Sequence, residues 1–141
     1  MAVIREDYPK PVPSWDNYEF WAACQRHELR IQRCTDCGEY RFQPRPYCPA
    51  CQSRSFEWPL ISGKGTVYTY TISYPPVLPA FEAKTPFNAV VVQLDEGPFM
   101  VSNLIGWPQE AEIPIGLPVE VVFDDIDEEL TIPQFRARGA A

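Results

Sequence analysis

Two stretches, Cys34-Thr35-Asp36-Cys37 and Cys48-Pro49-Ala50-Cys51, decide the fold in the middle of this 141-residue chain. In each stretch two residues separate the cysteines, so a tight turn brings both thiolates to one side. Ten residues separate the two pairs, which allows the turns to face each other and offer four sulfurs to one tetrahedral ion. The spacing predicts one structural zinc ion, with Cys34, Cys37, Cys48 and Cys51 as its ligands.

Short alternating segments flank the two cysteine turns. Leu29 and Ile31 alternate with polar residues before the first turn, residues 41–43 return from it, and residues 55–58 leave the second turn. Gly38 follows the first pair, where such a turn commonly needs a positive φ angle. Two turns joined by short antiparallel strands form a zinc ribbon, whose core is so small that the metal supplies most of its folding free energy.

A Pro-rich extended arm and a short helix are predicted before the ribbon. Asp16 and Glu19 have the spacing of a capping box, which predicts a helix from about residue 17 to about residue 28. The aromatic side of this helix, which includes Trp21, faces either the rest of the protein or a ligand, and both alternatives remain open. Cys24 lies outside the paired spacing and is interpreted as a small buried residue.

The pattern from residue 59 onward indicates β structure throughout. A long alternating run and four further apolar runs predict strands at residues 66–74, 87–94, 99–105, 119–123 and 130–135. Five strands, the first of them long, favour a small closed OB-fold barrel. Tyr68, Tyr70 and Tyr74 are predicted to share one face of the first strand, where they fill the barrel or, as the less favoured alternative, stack nucleobases.

The predicted fold class is mainly β, with an N-terminal helix, a rubredoxin-like zinc ribbon and a C-terminal five-stranded OB-fold barrel. The predicted division places the arm and helix in residues 1–29, the ribbon in residues 30–58 and the barrel in residues 59–141. The acidic residues 124–129 are predicted to form a solvated turn between the last two strands.

Residues 75–86 are predicted to form a long connection stiffened by four prolines. It displays Val77, Leu78 and Phe81, and apolar side chains on an exposed loop often contact a partner or a ligand. These three residues are therefore candidates for partner binding, with packing over the barrel mouth as the alternative.

Charge and composition disfavour several classes of protein. No stretch reaches the roughly 18 to 20 apolar residues that span a bilayer, and the first residues lack the pattern of a signal peptide, so a soluble cytoplasmic protein is expected. The net charge is −7, and residues 59–141 alone carry a balance of −7. Because phosphate contacts need a basic face, a nucleic-acid-binding module is disfavoured.

No catalytic residue is predicted. His27 is the single histidine, so any Ser-His-Asp or Cys-His arrangement would have to use it, and a lone histidine at a helix end more often serves the helix dipole or the surface. An enzyme in its own right and an iron–thiolate redox protein remain as less favoured alternatives to a zinc protein without its own activity.

The order of parts resembles a known family. An aromatic helix precedes a ribbon that reads Cys34-x-x-Cys37-Gly38, then Phe42-x-Pro44-Arg45, then Cys48-Pro49-x-Cys51, and the sequence Gly63-Lys-Gly-Thr-Val67 opens the barrel. This arrangement, over about residues 15 to 136, resembles the zinc-ribbon, OB-fold proteins associated with acyl-CoA metabolism, a former family of unknown function.

The resemblance implies a non-catalytic accessory subunit with structural zinc. Members assemble with thiolase-like acyltransferases, with aldolases of steroid side-chain breakdown, or with MaoC-type enoyl-CoA hydratases, and help to bind or channel a CoA thioester. A thiolase-like partner is the favoured expectation, and a hydratase is the alternative. Phosphates, adenine and an apolar arm suit arginine and aromatic side chains, so the candidates for CoA binding are Trp21, Arg41, Phe42, Arg45 and Arg54.

Overall fold

One short helix and two antiparallel sheets form the protein in the computed structural model, which describes residues 9–139. The elements are α1 Tyr18–Gln25, β1 Gln32–Cys34, β2 Tyr40–Arg41, β3 Phe56–Glu57, β4 Lys64–Ser73, β5 Phe87–Leu94, β6 Phe99–Ser102, β7 Pro118–Asp125 and β8 Thr131–Ala137. A 3₁₀ helix, Pro79–Lys84, lies between β4 and β5. The predicted fold class is confirmed. No helix in residues 9–139 is long and apolar enough to cross a membrane, and residues 1–8 of the predicted arm lie outside the described range.

The two sheets contain the strands in different orders. The ribbon sheet has the order β2-β1-β3, and the large sheet has the order β6-β5-β4-β7-β8. The large sheet curls until its two ends meet through a parallel pairing of Leu104 with Phe135. There the Ile105 N–H donates to the Phe135 carbonyl at 2.8 Å, and the Phe135 N–H donates to the Asn103 carbonyl at 3.0 Å. This pairing gives the sheet the curvature of an OB-fold.

The helix differs from its prediction at both ends. Asp16 is not the N-cap: Asn17 holds that position and makes no side-chain capping bond, because its Oδ1 accepts instead from the Ser14 N–H at 2.7 Å. The helix ends at Gln25 because His27 has a φ of 59°, outside the helical range. The N–H groups of His27 and Glu28 turn back onto the last helical carbonyls at 2.9 and 3.0 Å, which closes the helix in a Schellman motif.

A β-bulge in β4 breaks the predicted row of tyrosines. The pairing of β4 with β5 shifts between Val67 and Thr69, which leaves Tyr68 as an extra residue. An extra residue reverses the alternation of side chains, so Val67 is buried, Tyr68 is exposed, and Tyr70 packs against the core. Tyr74 is exposed as well. The prediction that Tyr68, Tyr70 and Tyr74 fill the barrel from one face is therefore wrong.

One continuous apolar core joins the helix, the entry to the ribbon and the large sheet. Its members are buried side chains of the helix, of the strands and of the segments that connect them: Phe20, Cys24, Leu29, Ile31, Ile61, Val67, Val90, Val92, Leu94, Met100, Leu104, Ile113, Val119 and Phe135. The ribbon therefore has a fixed position on the large sheet through the segment that leads into its first cysteine turn.

The acidic turn between β7 and β8 holds the N-terminal part of the chain. Asp127 Oδ1 accepts from the N–H groups of Glu129 and Leu130, both at 2.8 Å, which fixes the turn. Lys10 forms an ion pair with Asp127, and the Gln25 side chain donates to the Glu129 carbonyl. The turn thus ties both the arm and the end of α1 to the large sheet.

Candidate metal centre and the clefts beside it

The four ribbon cysteines meet at one point. All four Sγ atoms lie within 4.8 Å of one another. Cys34 Sγ is 3.6 Å from Cys51 Sγ, and Cys37 Sγ is 3.5 Å from Cys48 Sγ. A tetrahedron with zinc–sulfur bonds of about 2.3 Å has edges of about 3.8 Å, so these separations fit one zinc ion. The geometry supports the predicted structural zinc.

The two cysteine turns have the same backbone construction. Four residues after the first cysteine of each pair, the N–H of Gly38 donates to the Cys34 carbonyl at 3.0 Å, and the N–H of Gln52 donates to the Cys48 carbonyl at 2.8 Å. Both positions have positive φ angles, 79° at Gly38 and 66° at Gln52. Glycine adopts this conformation without strain, whereas the second turn accepts a glutamine there.

The first cysteine of each turn is prepared to be a thiolate. The backbone N–H of Cys37 donates to Cys34 Sγ at 3.4 Å and lowers the pKa of the Cys34 thiol to about 6. The corresponding N–H of Cys51 lowers the pKa of the Cys48 thiol. Because the thiolate is the form that binds metal, these two N–H groups assist metal binding by the first cysteine of each turn. Four sulfur ligands also complete a tetrahedral shell, which is the arrangement of structural zinc.

Cys24, the fifth cysteine, is separate from this centre. It lies on α1 with no exposed surface, and burial raises the pKa of its thiol to about 12. A thiol in such surroundings is neutral and inert. The interpretation of Cys24 as a small buried residue agrees with this position.

His27 connects the end of α1 to the large sheet. Its Nε2 lies 3.0 Å from both carboxylate oxygens of Asp125, and its ring stacks on Phe123 with the centroids 5.2 Å apart. The buried Thr131 hydroxyl donates to the same Asp125 carboxylate. The pKa of Asp125 is lowered mainly by this hydrogen bond and, to a smaller extent, by the contact with His27. The hydroxyl thus donates to the carboxylate and not to the imidazole, so the set lacks the nucleophile–base contact of a catalytic triad.

Three of the five candidates for CoA binding meet in one cleft. Arg41, Phe42 and Arg45 line a space of about 400 Å³ between the ribbon and the β5–β6 turn. Arg41 is only 5% exposed; its Nε donates to Gln32 Oε1 at 2.7 Å and its Nη2 donates to the Arg45 carbonyl at 2.8 Å. Its Nη1 has no hydrogen-bond partner among the described residues. We call this space the ribbon cleft.

The other two CoA-binding candidates do not line the ribbon cleft. Trp21 lies edge-on against Phe20, with the ring centroids 5.0 Å apart. Arg54 donates to the Tyr47 hydroxyl at 2.5 Å and lies over the Tyr47 ring. Trp21 therefore contributes to the packing of the helix, and Arg54 to the surface of the second cysteine turn.

The partner-binding candidates are only partly exposed. Leu78 is 58% exposed at the start of the 3₁₀ helix, whereas Val77 is half-buried. Phe81 is also half-buried, and its ring centroid lies 6.1 Å from that of Phe87. The 75–86 connection thus exposes more than half of one apolar side chain, Leu78, and turns Phe81 back toward the large sheet.

A second cleft was missed by the sequence predictions. It has a volume of about 490 Å³ and lies between the 3₁₀ helix and residues 105–109. Four carboxamides, those of Asn88, Asn103, Gln109 and Gln134, line it together with aromatic rings. A signal was present: Asn88 is buried in β5 at the same parity as Val90 and Val92, where an apolar residue is the rule. We call this space the amide cleft.

Comparison with known proteins agrees with both halves of the fold. Residues 21–57 match a family described as "ChsH2, rubredoxin-like zinc ribbon domain", and residues 58–124 match "ChsH2, C-terminal OB-fold domain". One chain of the solved structure "Ltp2-ChsH2(DUF35) aldolase" is similar to this chain, with 38% identity and a TM-score of 0.83, over 91% of this chain and 98% of that chain.

Two relatives illustrate the range of proteins that contain this unit. A "DUF35 domain-containing scaffold protein" of Methanocaldococcus jannaschii is 36% identical over 107 residues, which are 74% of each chain. A "Probable enoyl-CoA hydratase alpha subunit" of Thermomonospora curvata is 39% identical over 130 residues, which are 91% of this chain. The present chain spans only 39% of the length of that hydratase subunit.

Proposed function

Because this chain belongs to the ChsH2/DUF35 family of zinc-ribbon, OB-fold proteins, we propose that it is a non-catalytic accessory subunit of an acyl-CoA enzyme. In this role it binds a thiolase-like acyltransferase or aldolase in a reducing, cytoplasmic setting and helps to bind or channel a CoA thioester. The observation that carries the proposal is the similarity over nearly the whole chain to one chain of an aldolase complex.

The chemistry of the described residues supports a role without catalysis by this chain alone. The zinc centre has four protein sulfurs, so it has no open position at which to activate water. Cys24 is buried and protonated, and His27 is held against Asp125. A partner that supplies the acid, the base and the nucleophile fits this set of residues.

A hydratase partner is the second candidate. The similarity to a hydratase alpha subunit favours it, because 91% of this chain aligns with part of that protein. The two candidates differ in the chemistry of the partner and not in the properties expected of this chain, so the identity of the bound enzyme distinguishes them.

The proposed CoA contacts centre on the ribbon cleft. Arg41 is a buried cation that forms no ion pair with a carboxylate among residues 9–139, and Arg45 lies at the cleft with its side chain exposed. An anionic phosphate would balance the charge of these two arginines. Phe42 and Phe99 supply aromatic surface for a nucleobase. Trp21 and Arg54 lie outside this cleft, and we propose them as contacts for more distant parts of the ligand.

The proposed partner surface is the 75–86 connection. Leu78 presents a large apolar side chain to solvent on a long connection, and such loops often carry binding residues. Val77 and Phe81 are half-buried residues of the same connection, and we propose that they contribute the rest of its apolar contact. The surface is small, so we propose that it is one part of a larger interface.

The test is affinity purification of the tagged chain from its native host, with quantitative mass spectrometry. A stoichiometric thiolase-like or aldolase subunit is the expected result, and a stoichiometric hydratase selects the second candidate. Leu78→Asp should reduce the recovered partner about ten-fold or more, since an interfacial anchor commonly contributes more than 1.4 kcal/mol. Ile115→Asp is the matched control, because Ile115 is 65% exposed and lies outside the 75–86 connection. A chain that is recovered alone contradicts the proposal.

A further inference from the structure

The floor of the amide cleft is a network of carboxamides. Asn88 is 7% exposed, and its side chain exchanges two hydrogen bonds with the backbone of Leu104: Nδ2 donates to the carbonyl at 2.8 Å and Oδ1 accepts from the N–H at 2.7 Å. Asn103 Nδ2 donates to the Asn88 carbonyl at 2.6 Å. Both polar atoms of the Asn88 side chain thus have a backbone partner, so its role is to hold the segment that follows β6.

Gln134 differs from Asn88 because its hydrogen bonding is incomplete. It is 6% exposed on β8 and lines the same cleft. Its Nε2 donates to Asn103 Oδ1 at a long distance of 3.4 Å, and its Oε1, which accepts no hydrogen bond from residues 9–139, retains some exposure at the cleft. An acceptor that has no protein partner and reaches the cleft is available to a ligand that donates a hydrogen bond.

The walls of the amide cleft are apolar and nearly uncharged. Phe81 and Phe87 lie on one side, and Trp107 lies on the other with its indole N–H already donated to the Glu112 carbonyl at 3.1 Å. Among the described residues that line the cleft, Lys84 alone has an ionisable side chain. A volume of about 490 Å³ lies within the range of small-molecule sites, which are typically apolar with a few convergent polar groups.

From this geometry we propose that the amide cleft binds an uncharged, mainly apolar ligand that carries one hydrogen-bond donor, an N–H or O–H group. The donor meets Gln134 Oε1, and the aliphatic part lies between the aromatic walls. This site is separate from the ribbon cleft and does not rest on the accessory function proposed above. The neutral carboxamides of the amide cleft favour an uncharged ligand, whereas the arginines of the ribbon cleft favour an anionic one.

The first experiment compares two ligands that differ by one donor. Isotope-labelled, zinc-loaded protein is titrated with N-hexylacetamide and with N-hexyl-N-methylacetamide, and the side-chain signals of Asn103, Trp107 and Gln134 are followed by NMR. Saturable shifts are expected with both ligands, and the secondary amide should bind about ten-fold more tightly, the equivalent of one hydrogen bond. Equal affinities for the two amides, or an absence of saturable shifts, would overturn the proposal. Hexanoate is titrated as a third ligand, and tighter binding of hexanoate would also overturn the proposal, because it would assign the site to an anion that pairs with Lys84.

The second experiment removes the acceptor. Gln134→Met keeps a side chain of similar length, and it should lower the affinity for the secondary amide about ten-fold while leaving the tertiary amide unchanged. Gln93→Met, at an exposed position of β5, is the control and should change neither affinity. Phe81→Ala, at the half-buried wall, should weaken both ligands to the same extent. Unchanged affinity for the secondary amide in Gln134→Met would show that water satisfies Gln134 and would refute the site.

Discussion

Replacement of Cys34 by serine is expected to release zinc and unfold the ribbon while the large sheet stays folded. Cys34 is 1% exposed, and its Sγ lies 3.6 Å from Cys51 Sγ on the opposite turn. A serine hydroxyl stays protonated at neutral pH, so the variant supplies three thiolates instead of four. The Cys37 N–H then also loses the sulfur to which it donates.

The size of the effect follows from the metal and from the strands around it. Structural zinc contributes about 10–16 kcal/mol in zinc-finger peptides, so one of four equivalent thiolates contributes about 3 kcal/mol. That loss corresponds to an affinity for zinc about 100-fold weaker. Little else holds the ribbon, because β1, β2 and β3 contain 3, 2 and 2 residues, whereas β4 alone contains 10.

The assay is a chelator challenge followed by measurement of zinc per chain and of amide signals. The wild-type protein should keep one zinc ion under conditions that strip Cys34→Ser, and the variant should lose signal dispersion only between about residues 33 and 57. Cys24→Ala is the matched control, because this cysteine is equally buried but lies outside the metal centre, and it should retain its zinc. A Cys34→Ser protein that keeps one zinc ion and an ordered ribbon would refute the metal assignment.

Two further predictions concern the large sheet and its contact with the helix. Gly65→Ala should lower the free energy of unfolding by about 1–3 kcal/mol, because the added Cβ meets the Gln93 carbonyl and lies 2.8 Å from Val92 Cγ1. An unchanged midpoint of urea unfolding would contradict this prediction. Asp125→Asn should lower the melting temperature at pH 7, since the Thr131 hydroxyl and His27 lower the pKa of the native carboxylate. This stabilisation is present above the ordinary pKa of 3.8 and is lost as pH falls, so the two proteins should converge below that pH; a constant difference would contradict the assignment.

Local spacing explains why much of the fold could be predicted. The paired cysteines specify the ribbon because two-residue spacing and metal geometry leave few alternatives, and the confirmed family agrees with them. The predicted strand at residues 87–94 coincides with β5, since its apolar run is rich in valine and a turn follows directly. These features depend only on residues close together in the sequence.

Features that depend on tertiary context were missed or misplaced. The end of α1 at Gln25 depends on a histidine with a positive φ angle that contacts Asp125 on a strand 98 residues away. The bulge at Tyr68 depends on how β4 meets β5, and it reverses the faces that simple alternation predicts. Neither a helix stop at histidine nor a bulge has a sequence signal as strong as that of a glycine or a proline.

The candidate sites show the same limit. Residue chemistry selected arginines and aromatic residues for CoA, but only the fold shows that Arg41 and Phe42 share a cleft while Arg54 lies elsewhere. The amide cleft joins Asn88, Asn103 and Gln134 from three parts of the chain. Such a site has no linear motif, and its one sequence signal is a polar residue at an inward position of a Val-rich strand.

Turnover of a CoA thioester tests the accessory role most directly. The zinc-loaded chain, its co-purified enzyme and the reconstituted complex are assayed separately with the same thioester. The chain alone should show no turnover, and the complex should turn over faster or with a lower KM than the enzyme alone. Turnover by the purified chain alone, or kinetics of the enzyme that do not change when the chain binds, would contradict the proposed function.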